Sequence, residues 1–508
     1  MSLDAALSIA AGGIANVSAQ LALVSHNVAN AGTPGYATEV GTQTAVDAGG
    51  IGMGVATGPA VLLTDTALQN AVRAQTATVA GLTTRQGALQ AIDSVLGTPG
   101  QGQDLGSLLG ALGNQFSTLL NDPTSPTQQS AVVAAAGTLA NGINTLSGTY
   151  TAQRQNAQNA IVSEVGTVNA ALTAIGSLSN QIMAAKAAGT STADFQNQRN
   201  AQVATLAQNL SVNTLVQPNG DMIVTTASGT ELPTHGPADP LSTTGANVQP
   251  GSYYPGGGIQ PILLGGTDVT AALTGGQLGA NITLRDTTLP TDQAQLDEFS
   301  QNLATRFSAQ GLALFTDGAG AVPAGGGVPV QSGYVGFAAV IQVNPAVTAT
   351  PSLVRDGTTA IAGSPTGASA FTPNPAGGPA GFSTMITRIV DFALGADAQT
   401  GVAQPASHTT GLGATGTLSA PYVAPATLGD IANALVGAQS ADSAATTSTL
   451  ATEQGVQTTL QGQLTTQSGV NMDTQMSQMI ALQNAYGANA KVMSAVQSMY
   501  TQLLSAIQ

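Results

Sequence analysis

The side chains in this 508-residue chain that could do chemistry are few and scattered. Three histidines, His26, His235 and His408, lie far apart, and none has the H-E-x-x-H or similar spacing that places two imidazoles on one metal. They read as surface or interface residues. The absence of cysteine removes thiolate zinc sites, disulfides and thiol nucleophiles. Gly411, Gly413 and Gly416 form a G-x-G-x-x-G, but polar residues precede it and Pro421 and Pro425 follow, so the strand and helix that would frame a pyrophosphate are missing. Neither Lys186 nor Lys491 follows a glycine, which excludes a P-loop, and no G-x-S-x-G nucleophile elbow occurs. Asp292, Asp297 and Glu298 remain as an acid and base for glycan hydrolysis, which needs two carboxyls about 5 to 10 Å apart. Their spacing suits the solvated face of an amphipathic helix better. No catalytic, cofactor-binding or metal-binding residue is assigned, and the chain reads as a non-enzyme, with cell-wall cleavage the runner-up chemistry.

Composition narrows the class further. Charged residues make up 7% of the chain, against about 25% in ordinary soluble domains. The polar surface must then be built from Ser, Thr, Asn, Gln and 62 Gly, which repels its neighbours weakly and suits dense packing between subunits. The net charge of -15 comes from having only 10 basic residues, so there is no electrostatic footprint for nucleic acid. No Lys or Arg precedes Arg73, so a cleaved secretory signal is not expected. Asn16, Ser18, Gln20 and Ser25 interrupt the N-terminal apolar segment, and no membrane insertion is expected.

The elements that position these residues are set by periodicity. Leu3, Leu7, Ala10, Ile14, Val17, Leu21, Val24 and Val28 form an apolar stripe near the 3.5-residue spacing of a coiled coil. A second stripe runs through Met472, Met476, Met479, Leu482, Tyr486, Ala490, Met493, Val496, Tyr500, Leu503 and Ile507. Both ends are therefore expected as long helices whose seams meet each other and copies of themselves. Gly12-Gly13 weaken the first, since an interior Gly costs about 1 kcal/mol relative to Ala, so both ends are expected to order only on docking.

Ala29, Asn30, Thr33, Pro34, Gly35 and Tyr36 mark the end of the first helix, with Pro-Gly fitting a type II turn. Helices are expected over 65–96, 104–120, 126–188, 192–209, 287–310, 427–466 and 471–507. Asn219-Gly220 between two alternating runs signals a hairpin, and Val335 to Val343 reads as β-like. The expected architecture is mainly α at both termini, the long coiled-coil helices of the two ends paired, with an inserted β-rich outer domain. Its divisions are 1–63 (axial-core helix and extended segment), 64–210 (helical), 211–311 (hairpin and helix completing it), 312–425 (β-rich outer domain) and 426–508 (C-terminal helices).

The string Ala29-Asn30-Ala31-Gly32-Thr33-Pro34-Gly35-Tyr36 after a heptad helix resembles the signature of flagellar rod, hook and hook-associated axial proteins. So do Ser468-Gly469-Val470-Asn471-Met472-Asp473 and Leu482-Gln483-Asn484-Ala485-Tyr486-Gly487 at the other end. Asn121-Asp122-Pro123, Phe195 to Asn200, Gly276-Gln277-Leu278-Gly279 to Arg285-Asp286 and Gln342-Val343-Asn344-Pro345 resemble the family of first hook-associated proteins. The chain departs from the pattern at His26, where Asn is frequent, at Gln475, where an acid is common, and at Ala37-Thr38-Glu39, which lacks the usual basic residue.

The resemblance implies an extracellular structural subunit at the hook-filament junction. It also implies a ring of eleven copies, with hook protein below and a second junction protein above. Export would run unfolded through a flagellar type III apparatus, with a dedicated chaperone on the C-terminal helix. A hook or rod subunit is the alternative within the superfamily.

Overall fold

The computed structural model describes residues 3–48, 51–97 and 100–507. Its helices are α1 (Leu3–Asn30), α2 (Thr66–Leu96), α3 (Leu105–Asn121), α4 (Pro126–Ala187), α5 (Ala193–Asn209), α6 (Gly276–Thr283) and α7 (Leu289–Ala309), then the short α8 (Pro345–Ala349), α9 (Leu353–Asp356) and α10 (Thr384–Arg388), and finally α11 (Leu428–Ser468) and α12 (Met472–Ile507). Their starts follow local chemistry. The Asp65 carboxylate accepts from Ala67 N and Leu68 N at 3.0 and 3.1 Å to cap α2, and Asp104 accepts from Ser107 N to cap α3. Ser125 caps α4, whose first turn carries Pro126 where no backbone donor is needed.

At 62 residues α4 is about 93 Å long at 1.5 Å per residue, and it serves two cores. Its first half packs Leu139, Ile143 and Tyr150 with Phe116 of α3, Phe299 and Phe307 of α7 and Leu435 of α11. Its second half packs Ile161, Leu172 and Ile175 with Val203 and Leu206 of α5 and Leu278 of α6. Strands β1 (Glu39–Val40), β2 (Gln43–Ala48), β3 (Ile51–Thr57) and β4 (Val61–Leu62) lie between α1 and α2, with β1 paired to β4 and β2 to β3, both antiparallel. The second core is closed by β5 (Val212–Val216), β6 (Met222–Thr226) and β7 (Glu231–Leu232), an antiparallel sheet turning through Asn219-Gly220 as expected, with Gly220 at φ 103°. A second small sheet, β8 (Leu241–Ser242), β9 (Leu263–Leu264) and β10 (Thr267–Asp268), lies beside it.

Residues 312–425 hold only strands of two or three residues, paired as β11 (Phe315–Thr316) with β12 (Gln342–Val343), β13 (Asp397–Gln399) with β14 (Val402–Ala403), and β15 (Thr410–Leu412) with β16 (Leu418–Ser419). Their apolar side chains, including Leu314, Ile341, Val354 and Ile386, enter the first core. The run Val335 to Val343 is not a continuous strand. The Asp297 carboxylate accepts from Gly336 N at 2.7 Å and Ala338 N at 2.9 Å, and this coils the chain into a 3-10 turn at Phe337–Ala339 before β12.

By length and composition α1 and α4 are apolar enough to cross a membrane. In the fold α4 is the shared spine of both cores, and α1 packs between α12 and the β2–β3 hairpin.

Candidate assembly surface

The two ends of the chain form an antiparallel leg. Tyr500 OH donates to Asp4, Asn489 crosses over Gly13, and Asn27 Nδ2 donates to Gln475 Oε1 at 3.4 Å, so the pairing runs the length of α1. Gly13 has a packing reason beyond its effect on helicity. A Cβ there would stand 3.0 Å from the Asn489 amide, whereas one on Gly12 would meet nothing. Within one chain, α1 and α12 each give the other a helical partner.

The stripe residues divide by depth. Val17, Val24 and Val496 are buried, while Leu3, Leu7, Ile14, Leu21, Val28, Met479, Leu482, Met493 and Tyr500 are half-buried. Met472, Met476, Tyr486 and Leu503 are exposed, and the Ile507 side chain lies outside the described part. Ile480, Val492, Met499 and Leu504 are exposed beside them, so α12 carries apolar surface that α1 does not cover.

The motif after α1 forms the expected tight turn. Tyr36 N donates to Thr33 O at 3.2 Å with Gly35 at φ 76°, and Ala29, Thr33, Pro34 and Gly35 face solvent while Asn30 is half-buried. The turn delivers Tyr36 to Glu39 into a hub joining the leg to the body. Asn27 uses its whole amide there. Its Nδ2 donates to Glu39 O at 2.8 Å, and its Oδ1 accepts from Glu39 N at 3.0 Å and from Tyr36 OH at 2.9 Å. From α5, Asn197 grips Ala37 twice, accepting from its N at 3.0 Å and donating to its O at 3.1 Å. Thr38 N and Oγ1 donate, each at 2.8 Å, to Ser468 O and Gly469 O at the break between α11 and α12.

Glu39 is buried, and its carboxyl is pushed up by burial first, against the lowering effect of His26, whose Nδ1 stands 3.7 Å away. Burial, then Glu39, raises the Tyr36 phenol well above its usual value. The three departures from the family pattern therefore meet in one network: His26 beside Glu39, and Gln475 on the Asn27 that holds the Glu39 backbone. Asn27 and Asn197 carried no sequence signal for this role, because the groups they join lie 12 and 160 residues away.

Asn197→Ala would leave both polar backbone groups of buried Ala37 without a partner, costing about 1 to 3 kcal/mol locally. Amide hydrogen exchange at residues 37–39 should accelerate about tenfold or more with the α3–α4 core unchanged. Unaltered exchange there would show that the hub does not hold the leg.

The carboxylates expected on a solvated helix face are instead buried on α7, at 9% exposure for Asp292, 1% for Asp297 and 3% for Glu298. From Asp292 to Ser300 every residue of α7 is buried, so the polar residues there are used inward. Glu298 accepts from Tyr334 OH at 2.6 Å and His408 N at 2.7 Å, and Asp297 holds the 336–338 turn. These are structural fastenings for loops. The other histidines also sit beside carboxylates, His235 at 2.8 Å from Asp221 and the His408 ring at 3.2 Å from Glu298. Among the described residues no group of three or more His, Asp or Glu could hold a metal. Gly411 and Gly413 lie in and beside β15 and Gly416 in the β15–β16 turn, without a following helix.

The model of the flagellar hook-associated protein FlgK helical domain matches residues 89–320, which span α3 to α7, all of the second core and part of the first. That of the C-terminal part of flagellar basal body rod FlgEFG proteins matches 460–506, which includes most of α12. Flagellar hook-associated protein 1 of Salmonella typhimurium is 28% identical over 329 residues, 61% of this chain and 56% of its own length, and that of Salmonella typhi gives the same figures. The chain thus spans just over half the length of the curated relatives it matches. The flagellar hook junction protein FlgK from Burkholderia pseudomallei is 24% identical, over 50% of this chain and 45% of that one, with a TM-score of 0.39.

A helical body matched by one flagellar model and a C-terminal helix matched by another make the chain similar to flagellar axial proteins at both places. Within that class, residues 89–320 are similar to the helical domain of the hook-associated protein FlgK, and the curated relatives matched are flagellar hook-associated protein 1.

Proposed function

We propose that the chain is the structural subunit joining hook to filament, without enzymatic activity. The leg would dock against copies of itself and against neighbouring axial proteins, and the body would face outward. The match to the hook-associated helical domain over 89–320 carries this reading, because that body separates the family from hook and rod subunits with similar ends. The apolar residues left exposed on α12 support the docking mechanism. Each large side chain among them is already about half covered and adds roughly 1 kcal/mol on full burial, so several together would hold a neighbouring subunit.

The finer proposals come from the family. They are a ring of eleven copies, hook protein on one side, the second junction protein on the other, and location outside the cell at the junction. Export would use the type III apparatus without signal cleavage, with a chaperone holding α12 beforehand. Neither nucleic acid nor membrane is a proposed partner.

Electron microscopy of cells lacking the gene, with an assay of flagellin in the medium, tests the reading. Hooks without filaments and flagellin lost to the medium are expected. Absent hooks would instead make this a hook or rod subunit, the reading that the rod-type match at 460–506 favours. Normal filaments would overturn both.

A further inference from the structure

Three of the chain's ten basic side chains gather where the α4–α5 hairpin meets the β5–β6 hairpin. Arg73 reaches over from α2 to donate to Asn200 Oδ1 at 3.0 Å and Thr214 Oγ1 at 3.5 Å. Arg199 on α5 is 3% exposed and donates through Nη1 to Ser179 Oγ at 3.2 Å and Gly220 O at 2.7 Å, while its Nε is buried with no partner. Lys186 lies in the last turn of α4 and donates to Pro218 O at 2.6 Å, which leaves two of its three N–H groups free for a ligand.

Among the described residues none of the three has a carboxylate within ion-pair distance, although Arg85, Arg285 and Arg355 each do. Arg154 and Arg388 donate to several backbone or side-chain oxygens, Arg306 donates through Nη1 to Ala426 O with its other nitrogens buried and unpartnered, and Lys491 lies on the leg. Burial first, and then the positive charge of Arg199, lowers the Arg73 guanidinium to about 10. Asp221 partly offsets the effect of burial on Arg199 and is itself paired with His235. Three cationic side chains without a carboxylate at ion-pair distance thus gather at one place on a chain of net charge -15.

That place is concave. A cavity of about 270 Å³ is lined by Lys186, Gln196 and Arg199 together with Val61, Ile182 and Val216. Val61 is 48% and Val216 53% exposed, large values for valines facing a cleft. Cationic and apolar side chains lining one cavity suit a ligand with a carboxylate and short apolar groups side by side, and a lone inorganic anion would leave the valines uncovered. Subunits with so acidic a surface have few places where a neighbour's carboxylate meets a cation, and charge complementarity selects this one.

We propose that this groove receives an extended segment of a neighbouring subunit, its carboxylate on Lys186 and its flanking apolar side chains on Val61 and Val216. The inference goes beyond the junction reading and holds for any axial position of the subunit. Because the chain has only two lysines, [13C]lysine labelling gives two side-chain Cε signals in an NMR spectrum of the full chain, with Lys491 as internal control.

The probes are acetyl-Val-Asp-Val-amide, acetyl-Val-Asn-Val-amide and sodium acetate. The Asp peptide should move the Lys186 signal to saturation and leave Lys491 in place, and the Asn peptide should bind about tenfold more weakly, about 1.4 kcal/mol. Val216→Ser, at an exposed position, should weaken the Asp peptide while leaving the response to acetate unchanged. Parallel movement of both lysines, equal binding of the two peptides, acetate saturating as readily as the peptide, or no shift at millimolar peptide would each overturn the proposal.

Discussion

Arg154→Met is expected to destabilise the body by about 3 to 5 kcal/mol, the range for removing one partner from a buried charge site. Arg154 is 1% exposed, between the two cores that share α4. Its guanidinium is enclosed by backbone oxygens: Nε donates to Arg285 O at 3.1 Å, Nη1 to Gln249 O at 3.2 Å and Pro250 O at 3.4 Å, and Nη2 to Ser252 O at 2.7 Å. Burial lowers its pKa to about 10, with Asp286 opposing and Arg285 adding to the shift, so the group remains charged at neutral pH. Methionine fills much of the same volume, so the loss comes from four carbonyls stripped of their donor rather than from a cavity. Lysine keeps the charge but lacks the planar fork and should fall between the two. Thermal melts read the overall loss, and hydrogen exchange over residues 249–254 and 284–286 should show it concentrated there. A midpoint within about a degree of the unsubstituted chain would mean that the loop is held by other contacts.

This cage shows what kind of structure the linear order conceals. Elements whose causes are local were readable. Pro126 after Ser125 marks the start of α4, Asn219-Gly220 marks the β5–β6 turn, and the spacing of apolar residues at both ends anticipates two long helices that pair. Contacts made by one side chain with distant backbone carry no such pattern. Nothing around Asn197 announces Ala37, and nothing around Asp297 announces that its carboxylate coils residues 336–338 into a turn. The acidic face of α7 was misread for the same reason. Periodicity places Asp292, Asp297 and Glu298 on the polar side of a helix, and only the loops folded over that side turn it from a surface into an interior. For the candidate surface, both seams were legible as stripes, but which of their residues stay exposed depends on the register of α1 against α12.

Those buried acids make stability depend on pH in an unusual direction. Burial raises Asp292 to about 8, with Asp442 adding to the rise and Arg85 opposing it, and Tyr150 and Tyr422 also lie within its field. Asp297 rises to about 7, again chiefly through burial, against the hydrogen bonds from Gly336, Ala338 and Gln293 and with the neighbouring Glu298 raising it further. Glu164 rises to about 7 through burial, opposed by Asn281. An unfolded chain releases these protons near pH 4, so between pH 4 and 8 the folded state binds more protons. Their contribution is fully present below about pH 4 and is lost as pH rises through 7 to 8.

The acids with lowered values, such as Asp104, Asp221, Asp268 and Asp356, act oppositely but below that window, losing their contribution only as pH falls through their folded values. The thermal midpoint should therefore fall from pH 5 to pH 9, with Asp292 alone accounting for roughly 3 to 5 kcal/mol. Asp292→Asn should flatten the profile and raise stability at pH 9, because no hydrogen bond among the described residues requires its carboxylate. Asp297→Asn should lower stability at every pH, since its amide NH2 would face backbone donors that the carboxylate now accepts. An unchanged midpoint between pH 5 and 9, or the same slope after Asp292→Asn, would show that these carboxyls ionise freely in the folded chain.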